Sequence, residues 1–205
     1  MHGRHLSIAQ EMKFSYPWKL VEKKSYLHVI FDRDLKVASN AVIGGGFVQA
    51  RHFLNMFVDK SYNSDTPAAD LREWLKPLDV PVERAVAMMT AVHLHTRAIG
   101  VKTVGDIPMF AIVTAGVGNA VDITTGDVED IRYQAGTINT MIFIDACLTD
   151  GAMLNAIMSA TEAKTKLLAD LEIKDSASGS IATGTSTDCI AIACTGRGPV
   201  LPYAG

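Results

Sequence analysis

The stretch Tyr26-Leu27-His28-Val29-Ile30-Phe31-Asp32-Arg33-Asp34-Leu35-Lys36-Val37-Ala38-Ser39 decides the fold class. It predicts two strands, Tyr26 to Asp32 and Leu35 to Ser39, that form a hairpin around Arg33-Asp34. Further apolar, strand-type runs lie at 52–58, 109–114, 137–146 and 187–194. Because strands and helices do not alternate strictly, the pattern predicts an α+β fold with a mixed or antiparallel sheet. Helices are expected on the outer faces of the sheet, and a layered αββα arrangement is one form of this fold.

Helices are predicted at three places. Thr66-Pro67 has the N-cap and N1 chemistry of a helix that runs through Trp74, and Pro81 opens a second helix. That second helix would place Val82, Ala85, Val86 and Met89 on one face. The clearest helix begins at Asp150, and the face expected to meet the sheet carries Leu154, Ile157, Met158, Thr161, Thr165 and Leu168. Glu162 flanks this face and is expected to pair with Lys166, one turn further on.

The totals predict one domain over residues 1–205 and exclude several function classes. The net charge is −3 and the basic residues are scattered, so no nucleic-acid partner is expected. No apolar run reaches the roughly 20 residues of a membrane helix, and the polar start does not resemble a signal peptide. Cys147, Cys189 and Cys194 are expected to be free thiols. These features predict a cytoplasmic protein, and they allow a homo-oligomer.

Three small-residue stretches interrupt the apolar runs, at 39–46, 114–120 and 182–188. Glycine lets another group approach the backbone closely, and the hydroxyls and amides around these glycines can bind polar ligands. The stretches therefore predict a pocket walled by main chain. The second stretch lacks the third glycine and the following helix of a dinucleotide fingerprint, and the lysine of a phosphate loop follows none of the three.

Six blocks of sequence carry a resemblance to a known family. In chain order they are Ser39-Asn40-Ala41 before Gly44-Gly45-Gly46, Met88-Met89-Thr90-Ala91, Val113 to Ala120, Gly136-Thr137-Ile138-Asn139, Thr161-Glu162-Ala163-Lys164 and Ala182 to Asp188. Together they resemble the adenosylcobinamide amidohydrolase family of corrinoid salvage, from about Phe31 to Gly205. Asn40 stands where that family more often has a second serine, which argues against a serine nucleophile at this position.

The resemblance implies hydrolysis of the amide that joins aminopropanol to the corrin ring of adenosylcobinamide. The products would be adenosylcobyric acid, which re-enters adenosylcobalamin synthesis, and 1-amino-2-propanol. The partner is then a small-molecule corrinoid. Cobalt is carried by that substrate, so no cofactor of the protein is expected. Two alternatives stay open: an amidase that cleaves itself at Gly136-Thr137 or Gly184-Thr185 to expose an N-terminal threonine, and a non-catalytic corrinoid-binding module.

Amide hydrolysis needs an attacking oxygen, donors to the oxyanion and an acid for the departing amine. Asp188 and Glu162 are the candidate acid–base residues, with a turn carboxylate and a surface ion-pair partner as their structural alternatives. Thr183, Thr185 and Ser186 are candidate nucleophiles if the mechanism is covalent, whereas attack by water needs none of them. Main chain and amides expected to meet the corrin belong to Ser39, Gly44, Gly45, Gly46, Asn55, Gly116, Gly118, Asn119, Thr137 and Asn139.

His93 and His95 alternate in a strand-like run and would project to the same face. This spacing occurs in metal sites. Because no cysteine or carboxylate in the neighbouring sequence completes a ligand set, no metal site is predicted.

Overall fold

The computed structural model describes residues 13–125 and 136–205. Its strands are β1 Trp18–Glu22, β2 Tyr26–Ser39, β3 Gly46–Phe57, β4 Ala85–Thr90, β5 Ala98–Val104, β6 Ile107–Ala115, β7 Ala120–Val121, β8 Ile138–Ile144, β9 Cys147–Leu148, β10 Gly184–Thr185, β11 Cys189–Cys194 and β12 Val200–Leu201. Eight strands form one sheet in the order β4-β3-β2-β11-β8-β6-β5, with β1 beside β2. The β3–β4 and β8–β11 pairs are parallel and the other pairs in this sheet are antiparallel. The sheet is therefore mixed, and the predicted α+β class is confirmed.

The predicted hairpin around Arg33-Asp34 is wrong. Tyr26–Ser39 is one strand of 14 residues, and its register against β3 shifts between Ile30 and Leu35. A tight hairpin needs residues that accept a positive φ, and Arg33-Asp34 offers neither glycine nor asparagine. Asp34 instead forms an ion pair with Arg84 at 2.5 Å. The bulge bends the strand without reversing it.

The predicted helix at Pro81 is also wrong. Residues 82–84 form a single 3₁₀ turn, and Ala85–Thr90 is β4, which pairs in parallel with β3. Val86 and Met88 pack into one core while Ala85 and Ala87 pack into another, on the opposite face of the sheet. A short apolar run is compatible with both the 3.6-residue period of a helix and the two-residue period of a strand. Here the pairing with β3 makes the segment a strand.

Two helices cover one face of the sheet. Helix α1, Pro67–Leu75, starts at the expected proline and packs Leu71 and Leu75 against β3 and β4. Helix α2, Asp150–Asp170, begins where the sequence predicted, because the Thr149 hydroxyl accepts a hydrogen bond from Ala152 N at 3.1 Å.

The buried face of α2 differs from the predicted one. Leu154 and Met158 are 50% and 58% exposed, whereas the buried residues are Ala152, Met153, Ala156 and Leu168. Two alanines on that face let the helix approach the sheet closely. Of the predicted face, Leu168 is buried and Ile157 packs partly buried against the sheet, whereas Leu154 and Met158 are turned outward. The expected ion pair of Glu162 with Lys166 is also absent, because Lys166 pairs with Asp170.

The other face of the sheet curls around an aromatic core. The Phe110 and Phe143 rings stack with centroids 4.6 Å apart, and Phe53 meets Phe143 edge-on at 4.9 Å. The curl brings β4 against β8, where Asn139 Nδ2 donates to Met89 O at 2.8 Å. The ends of β2, β6, β8 and β11 meet beside this contact. In the part of the chain that is described, neither helix has the length and apolar character needed to span a membrane.

Candidate functional site

The third small-residue stretch surrounds a carboxylate. Asp188 lies just before β11 and accepts hydrogen bonds from Ile138 N at 3.0 Å and Thr185 N at 3.1 Å. It also accepts from the Thr185 hydroxyl and forms an ion pair with Lys164 of α2. Thr185 is buried, while the side chains of Asp188 and Lys164 are 18% and 23% exposed. We name these three residues the Asp188 cluster.

Gly184 makes room for the Asp188 cluster. A Cβ atom at this position would lie 2.7 Å from Asp188 Oδ2 and 2.8 Å from Lys164 Nζ, so only glycine fits without displacing them. The helix is fixed beside this turn because the Thr165 hydroxyl donates to Thr183 O at 3.0 Å. The small-residue stretch thus lets an ammonium group and a carboxylate approach the same backbone.

Hydrogen bonds bring the three small-residue stretches together. Asn40 Nδ2 donates to Asp188 O at 2.9 Å, which ties the first stretch to the third. Asn119 Nδ2 donates to the Ser186 hydroxyl at 2.9 Å, which ties the second stretch to the third. In addition, Gly116 N donates to Thr137 O at 2.9 Å. These contacts place the three stretches beside one another, and the pocket that they were expected to wall together stays a prediction.

A cavity of about 480 Å³ opens beside the start of β11. Its walls come from the end of β4, the start of α1 and residues 58–63. The other lining residues include Val42, Ala91, Gly136, Thr137, Thr187 and Cys189. We name it the Thr187 cavity. Of the three stretches, the first contributes Val42, the third contributes Thr187, and the second contributes no lining residue.

The Asp188 cluster and the Thr187 cavity lie on opposite sides of one segment of chain. Thr187 and Cys189 line the cavity, whereas the Asp188 side chain between them is directed to Lys164. The cavity therefore does not contain the carboxylate.

Cys189 lines the cavity as a protonated thiol. Burial raises its pKa to about 11, and the neighbouring negative charge of Asp188 acts in the same direction. The thiolate form that attacks carbonyl groups is therefore scarce near neutral pH. Cys147, Cys189 and Cys194 are all free, as predicted.

Asn55, Thr137 and Asn139 lie in a buried polar network. The Thr137 hydroxyl is 2.9 Å from Thr187 O and 3.1 Å from Asn139 Oδ1, and Asn139 Nδ2 donates to Asn55 Oδ1 at 2.8 Å. Asn55 Nδ2 in turn donates to the Thr114 hydroxyl at 2.8 Å. Asn55 and Asn139 are each 1% exposed, so their amides join strands β3, β6 and β8. A direct contact of these amides with substrate stays a prediction.

The glycines of the first stretch form a turn. Gly44 has φ +75°, and a Cβ there would lie 2.4 Å from Ala85 O of β4. The Ser39 hydroxyl accepts from Ala41 N at 2.9 Å within the same turn. Ser39, Gly44, Gly45 and Gly46 do not line the Thr187 cavity.

In the second stretch, Gly116 packs against Val92, Gly118 is exposed and Asn119 is buried. The side-chain oxygen of Asn119 has no hydrogen-bond partner among the described residues. A Cβ on Gly136 would lie 2.2 Å from this oxygen, so glycine is required there as well. Gly116, Gly118 and Asn119 do not line the Thr187 cavity.

The remaining candidates are placed apart from the carboxylate. The Thr183 hydroxyl is 3.3 Å from Val121 O and accepts from Ile123 N at 3.1 Å, so both of its contacts are with backbone. Glu162 is exposed on α2. Sequence reasoning missed Lys164, although it belongs to the block Thr161-Glu162-Ala163-Lys164, because the orientation of α2 could not be derived. It also missed residues 58–63, which line the Thr187 cavity.

The rings of His93 and His95 do lie together, stacked with centroids 5.7 Å apart. They belong to a 3₁₀ turn and the residue before it, and not to a strand. Within residues 13–125 and 136–205, no group of three potential metal-ligating side chains forms.

Comparison with known proteins identifies the family of the chain. The model of the adenosylcobinamide amidohydrolase family matches residues 10–205. The chain belongs to this family. It is 30% identical over 186 residues to a protein of Methanosarcina mazei named adenosylcobinamide amidohydrolase, covering 86% of this chain and 82% of that protein. It is 26% identical over 209 residues to an uncharacterized protein of Methanocaldococcus jannaschii, covering 91% and 79% respectively.

Proposed function

We propose that the chain hydrolyses the amide between aminopropanol and the corrin ring of adenosylcobinamide. The products are adenosylcobyric acid and 1-amino-2-propanol, and the acid returns to adenosylcobalamin synthesis. Family membership and the name of the M. mazei relative support this substrate. The reaction leaves the cobalt in the corrin, so metal chemistry at the protein is not part of the proposal.

The Asp188 cluster is the observation that carries the proposal. A carboxylate offers about four lone-pair sites, and here the four donors are Ile138 N, Thr185 N, the Thr185 hydroxyl and Lys164. Because no acceptor site is left for a water molecule, the Thr185 hydroxyl is the proton source in contact with the base. This favours a threonine nucleophile over direct attack by water.

In the proposed reaction, Asp188 takes the hydroxyl proton as Thr185 Oγ1 bonds to the amide carbonyl carbon. The Lys164 ammonium, which pairs with Asp188, would stabilise the negative charge that develops on the carbonyl oxygen of the amide. The carbon–nitrogen bond then breaks, the proton passes from Asp188 to the departing amine, and an ester to Thr185 is left. Water hydrolyses that ester to the carboxylic acid and restores the hydroxyl.

The substrate must reach Thr185 from the side on which Asp188 and Lys164 are partly exposed. The Thr187 cavity lies on the other side of the chain, and its 480 Å³ is the size of a site for one drug-sized ligand. A corrin with its adenosyl group is much larger than such a ligand. We therefore assign the cavity to a peripheral amide of the corrin and not to the bond that is cut.

The test incubates the purified protein with adenosylcobinamide and measures released 1-amino-2-propanol. Asp188→Asn should lower kcat at least about 10²-fold, the smaller end of general base effects, while corrinoid binding measured by absorbance persists. Asp170→Asn is the matched control, because Asp170 also pairs with a lysine of α2 but at the surface. No release by the wild-type protein would overturn the function, and unchanged activity of Asp188→Asn would overturn the mechanism.

The Thr187 cavity has its own test. Thr187→Val should raise KM severalfold and leave kcat nearly unchanged, because this residue would bind the corrin away from the reacting bond. Circular dichroism and the melting temperature establish that the variant is folded. An unchanged KM would remove the cavity from substrate binding.

One observation favours self-processing at Gly184-Thr185 as a second candidate function. Asp188 contacts both the N–H and the hydroxyl of Thr185, the two groups that exchange the acyl chain in an N-to-O shift. Thr137 contacts only neutral acceptors. The intact mass of active protein separates the two functions, since self-processing produces two fragments divided between residues 184 and 185.

A further inference from the structure

A second cavity, of about 580 Å³, lies between the β1–β2 turn and the segment that follows β4. No residue lines both this cavity and the Thr187 cavity. Five of its lining residues are basic, and we name it the basic pocket; they are Lys23, Lys24, His93, His95 and Arg97. Glu22 is the acidic residue of the lining. Two lysines and one arginine against one glutamate leave a charge of +2, with the histidines counted as neutral.

Arg97 is built into the wall of the basic pocket. Its side chain is 9% exposed, and one terminal nitrogen forms an ion pair with Glu22. Its Nε is buried and has no hydrogen-bond partner among the described residues. A buried donor without an acceptor is costly, so a ligand oxygen that accepted a hydrogen bond from Nε would remove that cost.

One wall of the basic pocket consists of parallel rings. The Phe57 and His93 rings stack with centroids 5.4 Å apart and an angle of 16° between their planes. His95 continues the stack at 5.7 Å and 24° from His93. His95 is exposed, and a ligand ring that stacked on it would extend the series. A flat ligand ring gains stacking contact there that a simple anion does not.

We propose that the basic pocket binds a small phosphorylated ligand that carries a flat ring. The phosphate binds Lys23, Lys24 and Arg97, since guanidinium and ammonium groups are the usual phosphate ligands in proteins. The ring stacks on His95. This site uses no residue of the Asp188 cluster, so ligand binding here can be tested independently of amide hydrolysis.

The test is calorimetric titration of the purified full chain with AMP, inorganic phosphate and adenosine. AMP should bind at least about tenfold more tightly than either of the other two, because it alone has both the phosphate and the ring. The Lys23→Ala/Lys24→Ala double variant should weaken AMP binding about tenfold or more. Both lysines are exposed in a turn, so folding should not depend on them.

Two further variants locate the ligand within the pocket. His95→Ala should reduce AMP binding and leave phosphate binding unchanged, since only the ring contacts His95. Lys166→Ala, at an exposed lysine of α2, is the control for loss of charge elsewhere and should bind AMP as the wild type does. The proposal is overturned if AMP does not bind, if AMP and phosphate bind equally, or if the double variant binds AMP normally.

Discussion

The first and third small-residue stretches are similar in sequence, but different groups lie against their glycines in the structure. In the first, the close approach that Gly44 permits is that of Ala85 O, a backbone atom of β4. In the third, the groups that approach Gly184 are the carboxylate of Asp188 and the ammonium of Lys164. Glycine therefore predicts that something comes near the backbone, but only the identity of that neighbour separates a turn from a reactive site.

The largest effect is expected at Thr185. Thr185→Val removes the hydroxyl that Asp188 contacts and should lower kcat at least about 10³-fold, whereas Thr185→Ser should stay within about tenfold of wild type. Thr183→Val is the matched control, because the Thr183 hydroxyl contacts only backbone. Initial rates and melting temperatures of the three variants are the measurements. Equal losses at both threonines would mean that the stretch only needs its hydroxyls for folding.

Gly184→Ala should have the next largest effect on activity. The added Cβ would lie under 3 Å from the carboxylate and the ammonium, so at least one of the two groups must shift. A displacement of about 1 Å in a catalytic group can cost about 10²-fold, and we expect a fall in kcat of that order. Full activity of this variant, with its fold verified by circular dichroism, would show that the geometry of the Asp188 cluster is not needed.

Gly44→Ala should reverse the pattern, with a loss of stability and little loss of kcat. The position has φ +75°, and its Cβ would lie 2.4 Å from a backbone oxygen that cannot move freely. We expect the free energy of unfolding to fall by about 2–3 kcal/mol, measured by denaturant titration. A kcat more than about tenfold below wild type, under conditions where the variant is folded, would place the first stretch in the reaction.

Glu162→Gln should have the smallest effect, a change in kcat of less than about threefold. The side chain is exposed, and residues two apart on a helix do not share a face, so Glu162 is turned away from Lys164. Assaying Glu162→Gln beside Asp188→Asn compares the two predicted acid–base residues directly. A loss as large as that of Asp188→Asn would restore the predicted pair.

The sequence was informative where a local rule decides the structure. Thr149 and Asp150 define the start of α2, Pro67 defines that of α1, and the β-branched runs became β6, β8 and β11. It was uninformative where long-range pairing decides. Ala85–Thr90 fits a helix or a strand until β3 is beside it, and the exposed side of α2 depends on which residues can approach the sheet.

The candidate site divides in the same way. Asp188 and Thr185 were identified from their own stretch, three residues apart, but Lys164 joins them from another element. Asn55 and Asn139 were expected to meet substrate because amides suit a corrin. That contact stays a prediction, but the curl of the sheet, which no local pattern encodes, brings the two amides into contact with each other.

The position of β11 in the sheet has a consequence for how the protein is made. This strand comes late in the chain, yet it is inserted between β2 and β8, so residues near 190 pair with residues near 39. During synthesis the centre of the sheet cannot form until residues 189–194 have left the ribosome, because β11 joins β2 to β8. Until then the edges of β2 and β8 stay open to wrong partners, and folding that depends on such distant contacts is slow.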